Sequence, residues 1–173
     1  LSTTELATRV SGVFTEWRPD GIFIDGGGVG GGVVDQCRQA RLFVWEIQFG
    51  AKDSISGVNL DNAGERYANM RAAMYGALRA WIKTGALPPS PELRTAMLAI
   101  TYTFNVRDEI QLTSKEDLLD DNPDLDLDTL DALCLTFGGP LHRNAMAGGD
   151  HPHPKLNVAQ HEYDPYSEER MNA

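Results

Sequence analysis

The sequence predicts an α/β fold, because helical and strand-like segments alternate along its first half. An amphipathic helical pattern is followed by the apolar run Ile22-Phe23-Ile24, a glycine-rich helix start and a second strand-like run over residues 42–49. When a helix separates two strands in this way, the strands usually lie parallel and the helix forms the crossover connection between them. With 173 residues, of which 42% are apolar, the chain can build one domain with its own core.

Composition restricts the classes of function that the chain can have. A formal net charge of −10 argues against tight nucleic-acid binding through phosphate neutralisation alone. No run approaches the roughly 18 apolar residues of a membrane span, and the first residues lack the basic and apolar regions of a signal peptide. The sequence therefore predicts no contact with a membrane. Cys37 and Cys134 lie in apolar helical contexts without metal-ligand spacing, which predicts reduced core thiols.

The first helix is predicted from a capping box, in which Ser2 precedes Glu5 by three positions. Apolar residues recur at helical spacing as far as Trp17, and Arg18-Pro19 ends the pattern. The glycine run over residues 26–32 opens a second helix after the first strand.

The second half of the chain begins with the longest predicted helix, which we expect to start between residues 59 and 62 and to end at Gly85. A short helix around residues 93–98 and a hairpin over residues 100–112 follow. The last helix is predicted from about residue 127 to residue 137. Periodicity is lost beyond residue 141, so the predicted domain spans residues 1–140 and residues 141–173 form a mobile tail.

Three aspartates have the positions of metal ligands. Asp25 ends the first predicted strand, where the sheet fixes the backbone and the following glycines leave room for a phosphate. Asp128 and Asp131 are three positions apart on one helical face, so a cation between them would relieve their repulsion. Alternatively, Asp25 caps the next helix and the other two acids form a first turn favoured by the helix dipole.

Two basic residues are candidates for contact with DNA phosphates. Lys115 directly follows the predicted hairpin, and Arg71 belongs to a basic stretch of the long helix. The alternative for most of these charges is an ordinary solvated surface, and for Lys115 it is a surface lysine at a helix start.

The glycine run also satisfies the dinucleotide-binding pattern G-x-G-x-x-G, with Glu46 about twenty residues after it. Three features argue against this alternative. Asp25 would lie beside the pyrophosphate, a helix precedes the strand, and Glu46 falls inside the next strand instead of at its end. No P-loop motif is present.

Five motifs resemble those of the C-terminal nuclease domain of tailed-phage and prophage terminase large subunits. They occur in the family's order: IFIDGGGVGGGVVD (22–35), FG (49–50), YANMRAAM (67–74), IQLTSKED (110–117) and DTLDAL (128–133). The resemblance covers roughly residues 1–140. It implies an RNase H-like fold, in which a mixed sheet is flanked by helices.

The resemblance also implies a function and its site. The expected activity is a metal-dependent endonuclease that cuts concatemeric double-stranded DNA during packaging, with two Mg²⁺ or Mn²⁺ ions. Asp25 takes the role of the second catalytic acid, and Asp128 and Asp131 that of the closing acidic pair. The implied partners are double-stranded DNA, the terminase small subunit and the portal protein, in the cytoplasm of the bacterial host.

The sequence departs from the family pattern at its start. In the family, a first catalytic aspartate lies on an opening strand of a three-stranded meander, upstream of the helix that here begins near Ser2. The opening strands and the ATPase motor are not in this sequence. The expectation is therefore weak or no cleavage by this chain alone, and a catalytically incomplete packaging or interaction module is the main alternative.

Overall fold

The computed structural model describes residues 1–52, 61–62 and 64–139. The helices in this part of the chain are α1 (Thr3–Trp17), α2 (Gly30–Gln39), α3 (Met70–Trp81), α4 (Pro91–Ala99), α5 (Lys115–Asp121) and α6 (Leu127–Leu135). The strands are β1 (Phe23–Asp25), β2 (Trp45–Ile47), β3 (Asp61–Asn62), β4 (Glu65–Arg66), β5 (Tyr102–Phe104) and β6 (Ile110–Leu112). The predicted α/β class is confirmed.

The first four elements form a parallel β-α-β unit preceded by α1. The predicted capping box is present, since the Ser2 amide donates to Oε2 of Glu5 at 2.6 Å and the Glu5 amide donates to Oγ of Ser2 at 3.2 Å. β1 pairs with β2 in parallel, with Asp25 opposite Ile47. The predicted crossover is therefore confirmed, and α2 makes it. Val34 and Cys37 of α2 are fully buried between α1 and the strands.

α3 is the central helix of the second half, with Met70, Met74 and Leu78 buried in the largest apolar cluster. The prediction that this helix starts between residues 59 and 62 is wrong. Residues 61–62 form β3, and the helix begins at Met70 because the Asn69 side chain accepts the Ala72 amide at 3.0 Å and caps it.

The N-terminus of α3 joins three parts of the chain through backbone hydrogen bonds. The amides of Met70 and Arg71 donate to the carbonyls of Ala51 and Phe49, at 2.8 and 3.0 Å, in the segment that leaves β2. The Ala68 amide, just before the helix, donates to Ile110 of β6 at 2.9 Å. Because the first amides of a helix have no partner inside it, these bonds both satisfy the helix start and fix its position.

β5 and β6 form the predicted antiparallel hairpin, and β6 packs against α3. α6 packs against both α3 and α4. α5 begins at Lys115, where a helix start was the alternative prediction for that residue, and Ser114 caps it by accepting the Asp117 amide at 3.1 Å. Cys37 and Cys134 are free and buried, as predicted.

Some predictions fall on residues outside the described ranges. The tail predicted for residues 141–173 and the boundary at residue 140 belong to this group and stay predictions. Within the described ranges, no helix is both long enough and apolar enough to cross a membrane.

We expect Gly76→Ala to lower the free energy of unfolding by about 1–3 kcal/mol, because an alanine methyl group would overlap the buried Tyr67 ring and hydroxyl. Gly12→Ala is the matched control in α1, where nothing lies within 4 Å of the new methyl group. That change should raise the free energy of unfolding by about 0.5–1 kcal/mol, because glycine is unfavourable inside a helix. Urea denaturation measures both. Equal effects of the two substitutions would contradict the packing described for Tyr67.

Candidate active site

The two aspartates of α6 meet at one cationic side chain. Nζ of Lys115, the first residue of α5, lies 2.7 Å from Oδ1 of Asp128 and 3.1 Å from Oδ2 of Asp131. Partial burial alone would lower the pKa of Lys115, but the hydrogen bonds to both carboxylates and their charges outweigh it, so that pKa is raised. The two carboxylates of the predicted acidic pair therefore both bind the Lys115 ammonium.

Asp131 is also held from the interior of the domain. The Tyr75 hydroxyl donates to its Oδ1 at 2.7 Å, and Nε of Arg71 lies 3.6 Å from the same oxygen. The Asp131 side chain is only 13% exposed, whereas that of Asp128 is 92% exposed. The pKa of Tyr75 is raised far above its usual range. Burial is the largest cause, and the hydrogen bond to Asp131 is the second. The two members of the pair thus have different environments.

Arg71 takes part in the interior network and not in a solvent-facing surface. Its side chain is 13% exposed, its Nη1 donates to the Thr113 carbonyl at 3.2 Å, and its guanidinium lies 5.1 Å from the centre of the Tyr75 ring. Its Nη2 is buried and has no hydrogen-bond partner among the residues that the structure describes. DNA contact by Arg71 stays a prediction, but it would require the guanidinium to leave these contacts.

Asp25 ends β1 as predicted and is half buried. Its Oδ1 accepts the Gly27 amide at 2.9 Å, which closes a tight turn in which Gly28 has a φ of +55°. Gly30 begins α2 so close to the Asp25 carbonyl that a side chain at that position would overlap it. The alternative that Asp25 caps α2 differs from the structure, where Val29 is at the N-cap without a side-chain hydrogen bond.

The structure brings Asp128 and Asp131 together. It does not place Asp25 close enough to them to complete a three-ligand metal site. In the part of the chain that the structure describes, no three histidine, cysteine, aspartate or glutamate side chains are grouped closely enough to hold a metal ion.

Glu46 does not have the position of a ribose-binding acid. It lies in the middle of β2, its carboxylate pairs with Arg38 at 3.2 Å, and its side chain occupies the space in front of Gly26. Gly26 is therefore explained by packing against Glu46, which weakens the dinucleotide-binding alternative.

Sequence analysis missed the role of Tyr75 and assigned Arg71 a different one. The available signal was their spacing of four positions on α3, which places them on one helical face. No sequence pattern pairs that face with α6, since the contact joins residues 56 positions apart.

The fold is the RNase H-like α/β fold of phage terminase nuclease domains. The nuclease domain of the large terminase subunit gp2 of bacterial virus Sf6 matches with a TM-score of 0.57 and 20% identity, over 78% of this chain and 71% of that chain. A variant of that domain with manganese gives a TM-score of 0.59 and 18% identity, over 78% of this chain and 72% of that chain. A variant with calcium gives 0.58 and 18%, over 78% and 71%. No protein-family profile and no curated protein matches the sequence.

We expect Asp131→Asn to lower the free energy of unfolding by about 1–3 kcal/mol, because it removes the anion that pairs with the nearly buried Arg71 and with the partly exposed Lys115. Asp128→Asn is the control, since its side chain is 92% exposed and forms an ion pair with Lys115 at the surface. It should change stability much less. Urea denaturation without divalent cations measures both, and an equal loss would contradict the difference in environment.

Proposed function

We propose that the chain is the metal-dependent endonuclease domain of a phage or prophage DNA-packaging terminase, which cuts concatemeric double-stranded DNA. The observation that carries the proposal is the fold shared with terminase nuclease domains. The convergence of Asp128 and Asp131 on one positive charge supports it at the level of the site.

The residues of the site fit a divalent cation. Mg²⁺ and Mn²⁺ prefer oxygen ligands, and here the Lys115 ammonium takes the place of a cation between the two carboxylates. A variant of the Sf6 domain has been solved with manganese and, separately, with calcium. Asp25, at the end of β1, is the proposed third ligand. Two divalent ions held in this way would supply an activated water and stabilise the leaving oxygen of a phosphodiester.

Lys115 is the proposed contact of this chain with the DNA backbone. Lys115 is 37% exposed, so its ammonium can turn from the carboxylates to a phosphate of bound DNA once a metal ion neutralises the acids.

Within the proposed assembly, double-stranded DNA is the substrate. The terminase small subunit and the portal protein are the expected protein partners, in the cytoplasm of the bacterial host.

A catalytically incomplete packaging or interaction module is the second candidate. The observation that favours it is the absence, within the described residues, of any three acidic, histidine or cysteine side chains close enough for a metal ion. The two candidates differ in what happens after metal binding, because an incomplete module leaves DNA intact.

Calorimetric titration with Mn²⁺ tests the metal site. We expect Asp25→Asn and Asp131→Asn each to weaken Mn²⁺ binding by at least about tenfold, since each removes a proposed ligand. Asp124→Asn is the matched control, because it removes an exposed acid from the same acidic stretch without touching the site. Loss of affinity in all three variants, or in none, would contradict the proposed ligand set.

Incubation of supercoiled plasmid with the same samples tests the chemistry. We expect slow nicking that requires Mn²⁺, that is lost in Asp25→Asn and Asp131→Asn, and that persists in Asp124→Asn. Mn²⁺ binding through these acids without any nicking would favour the incomplete module. Nicking that survives in the ligand variants would contradict the proposed site.

A further inference from the structure

We propose that Tyr75 and Arg71 are positioning residues that leave Asp131 a single available carboxylate oxygen, and that they thereby favour Mn²⁺ and Mg²⁺ over Ca²⁺. The inference rests on the proposed metal site and goes beyond it, because it assigns ion preference to residues that are not ligands.

The two oxygens of Asp131 have different partners. Oδ1 accepts the Tyr75 hydroxyl at 2.7 Å and lies 3.6 Å from Nε of Arg71. Oδ2 faces Lys115 at 3.1 Å. Lys115 can move, since its flexible side chain is 37% exposed, whereas the contacts at Oδ1 come from the buried side of the domain. Oδ2 therefore exchanges its partner for a metal ion more readily than Oδ1.

The residues that hold Oδ1 are themselves fixed. Tyr75 is 8% exposed and lies in the apolar cluster beneath α6. Arg71, one turn earlier on α3, is anchored by its bond to the Thr113 carbonyl and by its contact with the Tyr75 ring. Since α3 also fixes its own N-terminus through Phe49 and Ala51, Asp131 is held by a rigid element.

The number of available oxygens matters for the choice of ion. Mg²⁺ requires a near-octahedral arrangement in which each carboxylate gives one oxygen, while Ca²⁺ takes six to eight oxygens and often binds both oxygens of a carboxylate. An aspartate that already has one oxygen hydrogen-bonded to the protein suits the octahedral arrangement. Asp128 has no such restraint, because its side chain is 92% exposed.

Tyr75→Phe tests the inference, because it removes the hydroxyl from Oδ1 and keeps the ring. The affinities for Mn²⁺ and for Ca²⁺ are measured separately by calorimetry. We expect the ratio of Ca²⁺ to Mn²⁺ affinity to rise by about tenfold, the size typical of changes beside a metal ligand. Tyr67→Phe is the matched control: Tyr67 is also 8% exposed and its hydroxyl also donates to a carboxylate, that of Glu65, at 2.6 Å. Its ratio should not change.

The ratio separates positioning from a general loss of structure. A purely structural role would weaken both ions equally, so an unchanged ratio in Tyr75→Phe overturns the inference while the metal site stands. If Tyr75→Phe does not fold, Arg71→Lys replaces it, since that change removes the Nε contact and keeps the charge, and the same criterion applies. Failure of the unsubstituted chain to bind either ion would overturn the proposed function, and the inference with it.

Discussion

The position of α3 is the constraint on which the rest of the structure depends. Its first amides would be unsatisfied in an isolated helix, and here they donate to the segment that leaves β2. The residue just before them pairs with β6. The start of α3 therefore connects the parallel β-α-β unit with the hairpin. The buried face of α3, from Met70 to Leu78, packs against α6.

The candidate site follows from this arrangement. Because Arg71 and Tyr75 are on the first turns of α3, they reach Asp131 on α6 from the interior. Lys115 reaches the same aspartate from α5, where Ser114 sets the helix start. The acid is thus held on one side by buried groups and on the other by an exposed ammonium, so its two oxygens differ in how readily they change partner.

Sequence analysis predicted the local features of this structure and missed the long-range ones. The capping box at Ser2, the parallel crossover and the hairpin depend on neighbouring residues, and all three are present. The start of α3 was misplaced because Tyr67 fits the helical stripe but forms a bridge to Ile110 instead. The acidic pair on α6 was predicted from its spacing. Its contacts with Tyr75 and Arg71 depend on how two distant helices pack, which periodicity does not determine.

The end of β1 and the first turns of α6 are proposed to form one metal site. Substoichiometric Mn²⁺ added to the ¹⁵N-labelled protein tests it directly, because a paramagnetic ion broadens the amide resonances nearest to it. The account predicts that the resonances of Gly26 and Gly27 broaden together with those of Thr129 and Asp131. Broadening confined to α6, with Gly26 and Gly27 unaffected, would show that Asp25 is not part of the site and would contradict the account.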